Sequence, residues 1–151
     1  MNNTIKDNLK IIEKNIESLQ DSVFEKIIIN ASKIIIDSLK KNKKILFCGN
    51  GGSAGDSQHL SAELLGQYLK KRQPLAAVDL TSNTSLLTSV GNDISFDQVF
   101  SRQISAIGLK GDILFAITTS GKSKNIINAI KTAKHKGLKV ILLASEKAYK
   151  L

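Results

Sequence analysis

Phe47-Cys-Gly-Asn-Gly-Gly-Ser-Ala-Gly-Asp-Ser-Gln-His-Leu-Ser-Ala-Glu63 decides the fold. An apolar run, Ile45-Leu-Phe-Cys48, ends in the glycine-rich turn Gly49-Asn-Gly-Gly-Ser53, and a helical pattern begins at once. A buried strand feeding such a turn and then a helix presents free backbone N–H groups and the positive end of a helix dipole. That arrangement suits an anionic ligand, above all a phosphate. Three polar side chains follow on the helix, Asp56, His59 and Glu63, spaced three and four apart so that they share a face with Ser53.

Downstream, short apolar runs alternate with helical segments. Leu75–Leu80, Asp112–Thr118 and Leu138–Leu143 read as further strands, with helices expected near residues 53–70, 84–90, 96–107 and 123–136. Alternation of this kind requires right-handed crossovers and a parallel sheet with helices on both faces. The expected class is α/β, an open doubly wound parallel sheet of the three-layer, flavodoxin-like kind, in which ligands bind outside the carboxyl ends of the strands. Polar loops occupy that place after strand one (Gly49 to Ser53), after strand two (Thr81 to Ser85, then Gly91-Asn-Asp93) and after strand three (Thr118-Thr-Ser-Gly-Lys-Ser123). Hydroxyl-bearing loops that each lead into a helix make a donor cage for one phosphate.

Upstream of the quoted stretch the pattern is helical. Ile5, Leu9, Ile12, Ile16 and Leu19 follow the four-three spacing of a seam that packs against another helix. A second helix from about Asp21 is apolar on two sides, with Phe24, Ile27, Ile28, Ala31, Ile35 and Leu39 on one and Ile29 and Ile36 on the other. Residues 1–42 are therefore expected to form an N-terminal helical hairpin that serves oligomerisation, ahead of a parallel α/β core over residues 43–151. An intramolecular helix pair is the simpler alternative.

Composition narrows the function. A chain of 151 residues with 42% hydrophobic residues fits one globular domain. Apolar runs of membrane-spanning length are lacking, and the first residues do not have the layout of a secretory signal, so a cytoplasmic protein without membrane contact is expected. The net charge of +9 comes from scattered lysines with few aromatics between them, and the arginines are Arg72 and Arg102. Solvated surface, rather than a nucleic-acid interface, accounts for that pattern. The single Cys48 reads as a small buried hydrophobe and His135 as surface. Gly49-Asn-Gly-Gly-Ser-Ala54 also fits a dinucleotide fingerprint, a weak match set aside because the third loop supplies a second phosphate-type site. A P-loop reading of Gly121-Lys122-Ser123 fails, because Ala116 stands where that motif requires glycine. From spacing alone, His59 and Glu63 suit a shared zinc ion, or Glu63 a proton-transfer base, and a solvated helix face is the plain alternative.

Taken together, Gly49-Asn-Gly-Gly-Ser53 with Asp56, His59 and Glu63, then Gly91-Asn-Asp93, Phe100-Ser-Arg-Gln103 and Thr118-Thr-Ser-Gly-x-Ser-x-Asn125, resemble the sugar isomerase (SIS) family, and within it the phosphoheptose isomerases. The resemblance implies isomerisation of sedoheptulose 7-phosphate to D-glycero-D-manno-heptose 7-phosphate for heptose-containing glycans such as lipopolysaccharide or capsule. It implies that Ser53, Thr118, Thr119, Ser120 and Ser123 hold the phosphate, while Asn50, Gly51, Gly52, Asn92 and Asp93 line the sugar. Glu63 is then the base that moves a proton between C1 and C2, and His59 and Glu63 are ligands of one Zn2+ per site in a homotetramer.

Some positions depart from the family pattern. Gln67 stands where relatives commonly have Arg, Asn83 where they have Asp, and Thr118 where Ser is usual. Family members also continue past strand four into a further strand and a helix carrying a Gln and a His that complete the zinc site, whereas here the sequence runs into Ser145-Glu-Lys-Ala-Tyr-Lys-Leu151. The expectation is half a zinc site, poor binding of heptose phosphate, and turnover that is slow or absent. A non-catalytic binding protein, similar to the initiator-associating protein that binds the replication initiator DnaA, is the alternative from another class.

Overall fold

The computed structural model describes residues 2–20 and 22–145, so the tail after Ser145 lies outside the described residues. Two compact units are present, Met1–Ile36 and Asp37–Leu151. In the first, α1 (Asn2–Ser18) is followed by α2 (Ser22–Lys40), which runs on into the second unit. Their apolar residues stay open: Ile5, Leu9, Ile12, Ile16 and Leu19 of the expected seam are all more than half exposed, as are Ile27 and Ile28. The two helices do not cover these side chains with one another.

The second unit is built on four parallel strands, β1 (Ile45–Gly49), β2 (Ala77–Asp79), β3 (Ile113–Thr118) and β4 (Lys139–Ala144), in the order β2-β1-β3-β4. Ile45 lies opposite both Ala77 and Ile113, and Ile113 opposite Lys139, so the strands start level and their carboxyl ends share one rim. From β1 the chain steps outward to β2, and from β3 it steps the other way to β4. Right-handed crossovers in opposite directions put their helices, α3 (Gly52–Leu65) and α6 (Lys124–His135), on opposite faces of the sheet. The long return from β2 to β3 runs through α4 (Thr84–Val90), a π turn at Gly91–Ser95, a short 3₁₀ turn and α5 (Val99–Ile107), which packs on α6.

Alternation along the central strands sorts the core. Leu46, Cys48, Leu114 and Ala116 are fully buried and join Val99, Phe100, Ile104, Ile126, Ala129 and Ala133 of α5 and α6. The residues between them, Ile45, Phe47, Ile113 and Ile117, are buried toward the other face, where the Phe47 and Phe115 rings sit 5.4 Å apart. Central strands buried on both faces explain why β1 and β3 read as unbroken apolar runs. Cys48 is buried as expected, and desolvation raises its thiol pKa to about 12. At the amino-terminal rim, the buried Asp112 carboxylate accepts from the Lys44 ammonium at 2.5 Å, the Lys44 backbone N–H at 3.1 Å and the Leu109 N–H at 2.8 Å. Burial pushes its pKa up, but these donors and the Lys44 charge outweigh that and hold it below the ordinary value.

Three local expectations change: strand two, expected over Leu75–Leu80, is confined to Ala77–Asp79 at the edge of the sheet. The helix expected to reach residue 70 stops at Leu65. Gly66 closes it, its N–H donating to the Ala62 carbonyl at 2.8 Å, and the chain leaves toward β2 through an irregular segment in which Leu69 has φ 56°. The Gly91-Asn-Asp93 stretch, read as part of a loop, is a π turn that continues α4. Asn83, a departure from the family pattern, caps α4 by accepting from the Leu86 N–H at 3.0 Å, a role the amide performs as well as a carboxylate.

Candidate functional site

The strand order places β1 beside β3, with their crossovers leaving toward opposite faces, so the crevice between their carboxyl ends is the switch point at which such sheets bind ligands. The loops bordering it are the first and third polar loops of the sequence. The first turns tightly because Gly49 lies against the start of α3; a Cβ there would come within 2.4 Å of the Ser53 carbonyl oxygen. Gly51 takes φ 56°, a left-handed conformation open to glycine at little cost. No side chain caps the first turn of α3; its Ser53, Ala54 and Gly55 N–H groups donate instead to the Asn50 and Gly51 carbonyls, at 3.0, 3.0 and 3.4 Å, and the positive end of the helix dipole lies at the crevice.

Across the crevice, Thr118 ends β3 and its Oγ1 accepts from the Gly121 N–H at 3.3 Å, folding the loop into α6. Ser123 is the residue before α6 and makes no capping bond with its side chain, and the exposed Ser120 accepts from the Lys122 N–H at 3.2 Å. A cleft of about 210 Å³ opens between the loops, lined by Ser53 and Asp56 on one side, Thr118 and Thr119 on the other, and Leu143 and Ala144 at the end of β4. Ser53, Thr118 and Thr119 are thus brought together as the sequence predicts, and Ser120 and Ser123 belong to the same loop outside the lining of this cleft.

A reciprocal amide pair ties the loops to each other. Asn50 Nδ2 donates to Asn125 Oδ1 at 2.9 Å, and Asn125 Nδ2 returns a bond to Asn50 Oδ1 at 2.8 Å. Asn50, expected on the sugar, therefore has its amide engaged in fastening the cage. Asn125, which no sequence argument placed in the site, is its buried partner. The only signal for it was its place in the Thr118–Asn125 motif.

Along α3, Asp56 lies at the cleft, and His59 and Glu63 come together farther on, with Nε2 of His59 3.8 Å from Oε1 of Glu63. The His59 side chain is 74% exposed and that of Glu63 35%, so both are open to a ligand. Asn92 and Asp93 are exposed on the π turn and bond to one another, Asn92 Nδ2 donating to Asp93 Oδ1 at 2.7 Å. Among the described residues no hydrogen bond joins them to the cage.

Zinc takes three or four protein ligands. His59 and Glu63 supply two, and no group of three His, Cys, Asp or Glu side chains suited to a metal occurs among the described residues. The described residues therefore do not make a zinc site by themselves.

Comparison with known proteins agrees with this geometry. Residues 9–145 match the SIS domain family. Over 140 residues the chain is 49% identical to a phosphoheptose isomerase of Aliarcobacter butzleri, covering 93% of this chain and 71% of that protein. A phosphoheptose isomerase of Rhodospirillum rubrum is 55% identical over 114 residues, covering 76% of this chain and 61% of that protein. Among solved structures, the phosphoheptose isomerase GmhA of Neisseria gonorrhoeae superposes with a TM-score of 0.88 at 38% identity, covering 99% of this chain and 77% of that one. The match thus spans about three fifths of the length of the Rhodospirillum protein.

Proposed function

Because the chain belongs to the SIS domain family, we propose that its crevice binds a sugar phosphate and that its chemistry is the aldose–ketose isomerisation of sedoheptulose 7-phosphate to D-glycero-D-manno-heptose 7-phosphate. The observation that carries the reading is the cleft joining Ser53 to Thr118 and Thr119 across the switch point, with Glu63 on the same helix as Ser53. Ten residues at the rise of an α-helix separate Ser53 from Glu63 by about 15 Å along α3, and helical side chains tilt back toward the amino terminus. That spacing suits a long sugar phosphorylated at the end remote from its carbonyl.

In this reading the phosphate sits at the positive ends of α3 and α6 and on the Ser53, Thr118 and Thr119 hydroxyls, with Ser120 and Ser123 close by in the loop. The Glu63 carboxylate takes the proton from the carbon beside the carbonyl, leaving an enediol, and returns it to the neighbouring carbon, while the hydroxyl proton passes to the former carbonyl oxygen. Asn92 and Asp93 offer donors and acceptors to the sugar hydroxyls. A zinc ion held here would take His59 and Glu63 as two of its ligands and would polarise the substrate carbonyl. The open faces of α1 and α2 support self-association, which we take to be the homotetramer of the family, and a cytoplasmic setting follows from a phosphorylated substrate. A purely binding protein gives no reason for a carboxylate beside an imidazole at the end of α3.

The test is proton exchange and isomerisation of sedoheptulose 7-phosphate in D2O, followed by NMR, a readout sensitive to slow turnover. Deuterium should enter next to the carbonyl, and Glu63→Gln should slow this by about a hundredfold or more. Equal exchange in the wild type and Glu63→Gln, or no binding of the sugar phosphate, would sink the proposal.

A further inference from the structure

Arg72 lies in the irregular segment after α3, among residues whose composition suggests only solvated surface. Its guanidinium is instead half-buried against the end of the helix. Nη2 donates to the Glu63 carbonyl at 2.6 Å, while Nη1 donates to the Leu64 carbonyl at 2.9 Å and the Gln73 carbonyl at 3.0 Å. The last four carbonyls of a helix have no partner within it. In α3 that of Ala62 is taken by the Gly66 N–H, and that of Leu64 is shared between the Leu75 N–H and Arg72. The Glu63 carbonyl is held by Arg72.

We propose that Arg72 is a positioning residue for Glu63, clamping the last turn of α3 so that the carboxylate keeps one place relative to the substrate. The inference rests on the functional reading above for its consequence in catalysis, though the clamp itself does not. Terminal turns are where helices fray, and a base that serves two adjacent carbons tolerates little misplacement. A guanidinium suits the task because its rigid fork spans two successive carbonyls and its charge complements the helix terminus. Lysine, with a single ammonium on a flexible stem, reaches one carbonyl at a time. The other end of α3 is fixed separately, by the Gly49 turn, the Asn50–Asn125 pair and the Ser57 hydroxyl on the Ser53 carbonyl at 2.8 Å. Loss of Arg72 should therefore disturb the base while leaving the phosphate cage in place.

Arg72→Gln and Arg72→Lys in the 151-residue chain test this with two kinds of readout. Without activity, amide exchange at Leu65 and Gly66 should quicken by about tenfold or more in Arg72→Gln, and the side-chain carboxyl ¹³C line of Glu63 should shift. With sedoheptulose 7-phosphate, kcat should fall about tenfold to a hundredfold with KM within about threefold of the wild type, and Arg72→Lys should recover only part of the loss. An unmoved carboxyl line with unchanged exchange overturns the proposal. So does a loss of activity that follows the unfolding midpoint with kcat and KM moving together. If the wild type shows no turnover that depends on Glu63, the functional reading has failed, and exchange and the carboxyl line still decide whether Arg72 holds Glu63.

Discussion

Gly49→Ala is the sharpest test of how the cage is built. The added Cβ would lie 2.4 Å from the Ser53 carbonyl oxygen, 2.6 Å from its carbon and 2.7 Å from the Ser53 Cβ. Contacts below 3.0 Å are essentially unknown for real Cβ atoms, so Ser53 or Gly49 must retreat by at least 0.6 Å, the difference between 3.0 and 2.4 Å. Both neighbours belong to the chain backbone, and β1 is wholly buried, so neither yields without moving the start of α3. Overpacking of this kind costs about 1–3 kcal/mol, which in urea lowers the unfolding midpoint by about 1 M at an unchanged slope. The Ser53 hydroxyl moves with its backbone, so under the proposed function affinity for sedoheptulose 7-phosphate should drop by about tenfold or more. The matched control is Gly52→Ala, whose Cβ meets nothing within 4 Å and whose φ is not left-handed. Its stability should stay level or rise by about 0.4–1 kcal/mol through a less flexible unfolded chain. Urea titrations of the three proteins, with isothermal calorimetry for the ligand, supply the measurement. Should Gly49→Ala unfold at the wild-type midpoint with full affinity, the close approach of turn and helix is not what shapes the cage.

Other residues give expectations of the same kind. Asp112→Asn leaves the Lys44 ammonium beside a neutral amide and should destabilise the chain by about 3–5 kcal/mol in urea titrations. The Asp112 pKa is lower in the folded chain than its ordinary 3.8, so the carboxylate adds stability that is complete above the unfolded value and disappears as pH falls from there through the folded one. The acid limb of the wild-type stability curve should therefore begin near pH 4 to 5 and be shallower in Asp112→Asn. Asn125→Ala strands the Asn50 amide and should cost about 1–3 kcal/mol, with weaker sugar-phosphate binding by calorimetry. Cys48, buried and with its pKa raised to about 12, should resist a thiol reagent at pH 8 until the chain unfolds, so that labelling and the urea transition coincide.

Local chemistry alone determined a good deal of this protein. Ile45–Cys48 and Ile113–Thr118 are legible as buried parallel strands because they are continuously apolar, and Gly49–Ser53 is legible as a tight turn because its glycines sit between a strand and a helix. The spacing of His59 and Glu63 fixed their meeting on one helix face, since a turn of helix is a property of the sequence interval. What only the tertiary structure decided depends on partners distant in the chain. The order β2-β1-β3-β4 set Ser53 opposite Thr118, and no periodicity reports which strands become neighbours. Asn50 met Asn125 across 75 residues, and Arg72 folded back onto Glu63 because α3 stops at Gly66 and leaves carbonyls in need of a donor. A pattern along the chain says which side chains need burial or a hydrogen bond. The three-dimensional packing decides which distant group meets that need.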